Sequence, residues 1–383
     1  DYPLRNLTRN LIILATFIVT IAGASATSID APVVSMKLDN GLRVLIQEDH
    51  SSDMVAVDVW VRAGSINETD DTSGAAHFIE HLLFKGTKKR AAGQVDTEIE
   101  CLGASLEAKT SRDWAHFYTT IASKYLDRSL DVLADIIINP RLDTEDIEHE
   151  RQVILDEIAR SDSDPSKAVL NLAYQAAFAV HSYKLPITGT SESVSKINSE
   201  TITSFYNRLY TPENTTVVLV GNIKPSDAIT AVQKTFVDFK KRPLQPTIMP
   251  IEPERTEQAR KIVKRNTRLT YISIAFPAPS ILDLPDIYAM DLIVSHLAVG
   301  YQSWLSTELK NKKKLAVEVS SDFLYQHSPG LAVLTVAVEP NKAGEAEKAI
   351  FAKIADLQTN PIPNWELIRA RRSLEGGFAF DTE

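Results

Sequence analysis

Two histidines and a glutamate stand within the short segment "HFIEH", residues 77–81. On a helix, side chains three and four positions apart project from one face, so His77, Glu80 and His81 would lie together. Two imidazoles at this spacing can hold one zinc ion, with the carboxylate beside it to accept a proton. The alternative is an amphipathic helix that carries three polar residues by chance. The neighbours favour the metal site because they leave the histidines little polar face; they are Ala75, Ala76, Ile79, Leu82 and Leu83.

A catalytic zinc ion needs a third protein ligand, and the segment "DTEDIEHERQVILDEIAR" offers the best source. This segment predicts a helix on which Glu150 and Glu157 are 157 − 150 = 7 positions apart, two turns along one face. Val153 and Ile154 lie between them and predict that this face is buried. Two buried carboxylates are costly unless they are paired or bound to metal. His149 is expected to point to solvent.

The elements that must position these residues follow from hydrophobic periodicity. "VVSMKLDNGLRVLIQEDH" predicts two strands joined by a hairpin turn, and "MVAVDVWVRAG" predicts a strand with one buried face. A helix is expected from Ser73, as N-cap, to a stop at Gly86. "ASLEAKTSRDWAHFYTTI" and "NTTVVLVGNI" return to strand character, whereas "KYLDRSLDVLADIII" is helical. The sequence therefore predicts an α+β fold, with a mostly antiparallel sheet and helices packed on one face.

The Pro-rich stretch at residues 241–258 interrupts all periodicity and predicts an interdomain linker. It would follow a zinc-binding catalytic domain at residues 30–240. Beyond it the opening pattern recurs, since "LTYISIAFPAPS" is similar to "MVAVDVWVRAGS". We therefore expect a second, similar domain at residues 259–383, which is non-catalytic because His296 stands alone. The sequence stops mid-pattern at "GGFAFDTE", which predicts that this domain is truncated.

Composition limits the classes of function. Hydrophobic residues make up 44% of the 383 residues and charged residues 24%, as in a folded globular protein. The formal net charge of −9, with no basic stripe, argues against a nucleic-acid partner. A single cysteine, Cys101, excludes an intramolecular disulfide and a cysteine-rich zinc site. Any metal must therefore be held by histidines and carboxylates.

The first 26 residues have the layout of a secretory signal peptide. Arg5 and Arg9 precede the apolar run "LIILATFIVTIAG", and residues 24–26, Ala-Ser-Ala, supply a cleavage site. The run is short for a membrane span, which needs ~20 apolar residues. An uncleaved membrane anchor is the main alternative, and a mitochondrial presequence fits less well because such segments are richer in arginine. The expected location is the periplasm or the outside of the cell.

Together these features resemble a known family, the pitrilysin or insulinase metallopeptidases with the inverted His-x-x-Glu-His motif. In the processing-peptidase branch a glutamate follows the second histidine at the spacing seen here, 157 − 81 = 76, with another glutamate seven positions before it. The resemblance extends to "SGAAHFIEHLLFKGT", to "SFYNRLYTPENTTVVLVGNI" and to the duplicated layout. It covers nearly all of the chain after residue 30.

The resemblance implies a zinc endopeptidase and assigns roles within its site. His77, His81 and Glu157 become the ligands of a single zinc ion. Glu80 becomes the general base, and Glu150 a carboxylate that orients the site.

Family members hold substrate as an extended strand added to a sheet edge, and the matching segment here is "GASLEAKTS". The expected substrate-binding residues are Ala104, Leu106, Glu107 and Ala108. Small side chains such as Ala104 and Ala108 let a peptide backbone approach. Glu107 departs from the family, which often has asparagine there, and would favour basic substrates.

A further departure concerns a second half of the molecule. Many relatives supply an arginine and a tyrosine to the site from a pattern like Arg-x-x-x-Leu-Ala-Tyr, whereas this chain has "LKNKKKLAVEVSS", with Val317 in place of the tyrosine. Because the family works as a clamshell of two halves, the resemblance implies a partner half, either fused or a separate subunit. The chain alone is then a weak peptidase. The alternatives are a silent structural subunit, although such subunits typically lose motif residues, and a metal-dependent binding protein.

Overall fold

A computed structural model of the chain describes residues 32–382 apart from positions 244, 246, 248 and 256. The predicted signal peptide at residues 1–26 lies outside the described residues. Within the described part of the chain, no helix combines the length and the apolar character needed to cross a membrane.

The first part of the chain forms a six-stranded sheet covered by helices. Its strands are β1 (Val34–Lys37), β2 (Arg43–Glu48), β3 (Met54–Val61), β4 (Glu107–Thr110), β5 (Ala115–Ala122) and β6 (Thr215–Gly221). Its helices are α1 (Ala75–Leu83), α2 (Gln94–Glu100), α3 (Leu126–Ile138), α4 (Thr144–Ser163), α5 (Pro165–Ala177), α6 (Ser191–Lys196), α7 (Ser199–Leu209) and α8 (Pro225–Thr235).

The strand order in this sheet is β1-β2-β6-β3-β5-β4. The predicted hairpin is present, since β1 and β2 are antiparallel, and only the β2–β6 pair among these neighbours is parallel. Along β3 the valines at positions 55, 57, 59 and 61 are fully buried, whereas the residues between them are partly exposed. One face of the sheet therefore packs against the helices, and β4 lies at an edge.

The second domain is a smaller version of the same plan. Its strands are β7 (Thr270–Ala278), β8 (Ala316–Phe323) and β9 (Gly330–Val338), in the order β7-β9-β8 with both pairs antiparallel. Its helices are α9 (Leu284–Ala298), α10 (Ala343–Thr359) and α11 (Asn364–Thr382), together with a π-helical segment, Leu305–Lys312. The predicted pair of similar α+β domains is confirmed.

Helix α5 joins the two domains. Its residue Tyr174 shares one hydrophobic cluster with Leu331 and Val333 of β9. On the other face of β9, Val336 and Val338 belong to a cluster with Ala346 and Ile350 of α10. The second sheet is thus covered by its own helices on one side and by α5 on the other, which explains why β9 is buried along its whole length.

Helix α1 is shorter than the sequence predicts: it begins later and ends earlier. The predicted N-cap, Ser73, is wrong: Gly74 occupies that position with φ = 97°, a left-handed conformation that glycine favours. The helix ends at Leu83, with Phe84 as C-cap, before the expected stop at Gly86. The start differs because the carboxyl group of Glu68 accepts hydrogen bonds from the N–H groups of Gly74 and Ala76.

Candidate metal centre

Helices α1 and α4 bring three residues from distant parts of the chain together. Ligand atoms of His77, His81 and Glu157 all lie within 4.8 Å of one another. The Nε2 atoms of both histidines are 3.7 Å from Glu157 Oε2. The structure therefore places the three expected ligands in a single cluster.

The two sides of this cluster differ in exposure. His77 is buried, and burial, followed by the nearby His81, lowers the pKa of its imidazole to about 3. A neutral imidazole is the form that binds a metal. The Glu157 side chain is 39% exposed and Val153 is 37% exposed, so the prediction of a fully buried face on α4 is wrong at these positions. The cluster consequently opens to solvent beside Glu157.

Glu150 is almost completely buried and contacts the second histidine. Its Oε2 lies 3.1 Å from His81 Nδ1, and its Oε1 lies 2.9 Å from Lys85 Nζ. When His81 donates its Nδ1 proton to Glu150, the lone pair of Nε2 is left facing Glu157. Lys85 balances the buried charge. Lys85 was not predicted, because it lies two residues after the end of α1, where helical spacing no longer applies.

Glu80 lies on the same helix, beside the end of edge strand β4. Burial raises the pKa of its carboxyl group above the ordinary value, Thr110 and His81 oppose this change, and Glu157 adds to it. Its Oε2 is buried and has no hydrogen-bond partner among the described residues. Glu80 can therefore accept a proton from a molecule that enters the site.

The start of α1 is held by Glu68, a residue that no local sequence pattern singles out. Its Oε2 accepts a hydrogen bond from the Gly74 N–H at 2.9 Å, and its Oε1 accepts one from the Ala76 N–H at 2.8 Å. Burial raises the pKa of Glu68 to about 8, against the effect of these two amides. The contact fixes the turn that carries His77.

The predicted substrate-binding segment lies at the sheet edge. In the antiparallel register Glu107 is opposite Tyr118 and Ala108 is opposite Phe117, so their side chains lie on different faces. Glu107 is exposed, whereas Ala108 packs against the hydrophobic core. In the preceding loop, Ala104 and Leu106 also pack against this core. Among the described strands only β5 pairs with β4, and its other edge is open.

The donor set fits a zinc ion. Two imidazole nitrogens and one carboxylate oxygen are the ligands of several catalytic zinc sites. Glu157 raises the pKa of Glu80 because two negative charges lie close together, and a bound cation would relieve this repulsion. The residues that would hold zinc are His77, His81 and Glu157.

Comparisons with known proteins agree with this fold. The family model described as insulinase, peptidase family M16, matches residues 43–191, and the model described as peptidase M16 inactive domain matches residues 196–374. A zinc protease of Mycobacterium leprae, itself described as uncharacterized, is 30% identical over 361 residues, which is 92% of this chain and 80% of that protein.

Two further relatives bear on the branch and the fold. The Arabidopsis thaliana protein named "Probable mitochondrial-processing peptidase subunit beta, mitochondrial" is 32% identical over 269 residues, which is 70% of this chain and 50% of that protein. The crystal structure of a protease from Helicobacter pylori superposes with a TM-score of 0.87 at 26% identity, covering 91% of this chain and 85% of that one. The chain belongs to the insulinase family of peptidases, M16, and is similar to its processing-peptidase branch.

Proposed function

We propose that this chain is the catalytic half of a zinc endopeptidase that hydrolyses unfolded peptides or small proteins. The observation that carries the proposal is the convergence of His77, His81 and Glu157 beside Glu80, next to an open sheet edge. Each chain would hold one zinc ion, since the cluster offers one set of three ligands.

The chemistry follows from the positions of the side chains. A bound zinc ion would supply a Lewis acid that activates the attacking water and polarises the scissile carbonyl. Glu80 accepts a proton from this water as the water oxygen attacks the carbonyl carbon. Glu80 then passes the proton to the leaving amine. No side chain of the protein forms a covalent bond to the substrate.

The position of β4 indicates how the substrate binds. A peptide in an extended conformation can add to the open edge through backbone hydrogen bonds. Since Glu80 lies beside Thr110 at the end of this strand, a peptide paired with β4 would pass the catalytic carboxyl group. We propose that residues 104–108 form part of this peptide-binding surface, with Glu107 on the side away from the core.

Replacement of Glu80 by Gln tests the proposal. The ligands stay in place, so Glu80→Gln should retain zinc and lose peptide cleavage by about a hundredfold or more, because a general base is removed. Glu100→Gln, at an exposed glutamate on α2, is the matched control and should cleave as the wild type does. If Glu80→Gln cleaved peptides at the wild-type rate, the assignment of the base would be wrong.

The alternative is a silent or weakly active structural subunit of the same fold. The residues of the zinc site are all present and close together, which favours catalysis. A protein that binds zinc but cleaves no peptide, even with a second half supplied, would support the alternative.

We also propose that the chain is exported through residues 1–26, from the pattern of arginines, apolar run and small residues. Signal cleavage after Ala26 would leave Thr27 as the first residue. The intact mass of the protein recovered from the periplasm would show this, and a mass that retains residues 1–26 would support the membrane-anchor alternative.

A further inference from the structure

The turn between β4 and β5 contains an arginine that is buried against helix α5. Arg112 is only 5% exposed, and its guanidinium carbon lies 3.5 Å from the centroid of the Tyr174 ring on α5. Its Nε donates to the Tyr183 carbonyl at 3.4 Å. Burial lowers the pKa of Arg112, and Asp322 of β8 is among the groups that oppose this change. Tyr174 in turn donates its hydroxyl to Asp322 at 3.3 Å.

The next residue in the turn makes a second connection. One oxygen of Asp113 accepts a hydrogen bond from the Tyr183 hydroxyl, and the other accepts one from the His327 N–H, both at 2.7 Å. The Ser328 N–H donates to the same tyrosine hydroxyl at 3.2 Å. Residues 327 and 328 belong to the loop between β8 and β9, so the turn is bonded directly to the second domain.

On its other side the same turn bonds the segment that leads to α1. The Ile66 N–H donates to the Arg112 carbonyl at 2.8 Å, and the Ser65 N–H donates to the Ser111 carbonyl at 3.3 Å. At Gly64 a Cβ would lie 2.3 Å from the Arg112 oxygen, so this approach requires glycine. The segment continues to Glu68, which bonds the first turn of α1. One turn thus connects the edge strand, the histidine helix and the second domain.

We infer that Arg112 is a positioning residue, through which the second domain holds β4 in register beside Glu80. This inference rests on the proposed peptidase function. Strand β4 has only four residues and is paired on one side, so by itself it would fray readily. Arginine suits the task because its planar guanidinium stacks on a ring while its Nε donates in a fixed direction, which lysine cannot reproduce.

Arg112→Lys is the first test, because it keeps the charge and removes the stacking and the fixed hydrogen bond. Asp322→Asn changes the second-domain side of the same cluster, because it removes the charge that the Tyr174 hydroxyl contacts. Arg90→Lys is the matched control: Arg90 is also 5% exposed, but it bonds residues of the first domain only, namely Glu98, Asp131 and Asp135. All variants are compared as full chains, with kcat expressed per zinc-loaded molecule.

A displaced edge strand misaligns the scissile bond, and a shift of about 1 Å can cost about a hundredfold in rate. We expect kcat to fall by about tenfold or more in both Arg112→Lys and Asp322→Asn, with zinc content unchanged. Amide hydrogen exchange at residues 107–110 should become faster in the same two variants. Arg90→Lys should lower thermal stability while kcat and exchange at β4 stay as in the wild type.

Each other result overturns the inference. Unchanged kcat, with or without faster exchange, would mean that the contact has only a structural role. A lower kcat without faster exchange would mean that the loss does not pass through β4. If the wild type cleaves no peptide, the proposed function fails separately. Amide hydrogen exchange at residues 107–110 is then the only readout. Faster exchange in Arg112→Lys and Asp322→Asn would support the inference that the second domain stabilises β4, and unchanged exchange would refute it.

Discussion

Glu150 and Glu157 lie two turns apart on one helix, yet they have different surroundings. Glu150 is 1% exposed and contacts His81 and Lys85, whereas the Glu157 side chain is 39% exposed and faces both histidines. The sequence could predict that both project towards the motif, because helical spacing fixes direction. It could not predict their unequal burial or the ion pair with Lys85, because these depend on how α1 packs across α4.

At the residue scale, Glu150→Gln should weaken zinc binding. The amide keeps the shape but loses the charge that orients His81, and changes of this kind cost about 10- to 100-fold in metal affinity. Titration against a competing chelator measures this directly. Glu145→Gln, at an exposed glutamate in the first turn of the same helix, should bind zinc as the wild type does. Equal affinity in both variants would show that Glu150 does not orient the histidine.

At the scale of elements, α1 shows what periodicity reveals and what it leaves out. The spacing of His77 and His81 and the apolar residues around them predicted a helix and its buried face, and both are present. The N-terminus of α1 could not be predicted from a local capping pattern, since the carboxyl group that caps it belongs to Glu68, six residues before Gly74. Likewise β4 was predicted as a strand, but its connection to the second domain requires contacts that no local pattern encodes.

The raised pKa of Glu68 predicts how stability depends on pH. Its pKa is about 8 in the folded protein against an ordinary 4.5, so the folded state holds a proton that the unfolded state releases between these values. The free energy of unfolding should therefore fall as pH rises through this window, by on the order of a few kcal/mol. In Glu68→Gln, where the side chain is neutral throughout, the contribution of this group should be lost and the fall should be clearly smaller.

Urea unfolding of the metal-free protein at pH 5 and pH 8.5 tests this prediction, because zinc binding would add its own pH dependence. Glu100→Gln serves again as the exposed control and should keep the wild-type dependence. If Glu68→Gln lost stability with pH in parallel with the wild type, the buried carboxyl group would not be the source.

At the scale of the whole molecule, the duplicated α+β plan was visible in the sequence because the strand and helix patterns recur in the same order. The packing of the two domains could not be predicted from the sequence, since only the structure shows that Tyr174 of α5 packs against β9. Residues that join the domains, such as Asp113 and Asp322, carry no pattern that distinguishes them from surface charges. Pairing across domains depends on tertiary geometry alone.

The resemblance to two-half peptidases predicts that a single copy of this chain has low activity. Val317, where relatives carry a tyrosine, is 44% exposed on β8 and offers no hydroxyl group to a substrate. Activity measured on fractions from size exclusion should be low in the monomer fraction and rise in fractions where two halves are associated. A monomer with full activity would contradict the need for a second half.

Zinc content per chain tests most directly whether His77, His81 and Glu157 hold a metal ion. We expect about one zinc ion per chain in the wild type and in His149→Ala, which changes an exposed histidine beside Glu150, and almost none in His81→Ala or Glu157→Ala. A wild-type protein without zinc, or a Glu157→Ala variant that keeps its full complement with unchanged affinity, would contradict this expectation.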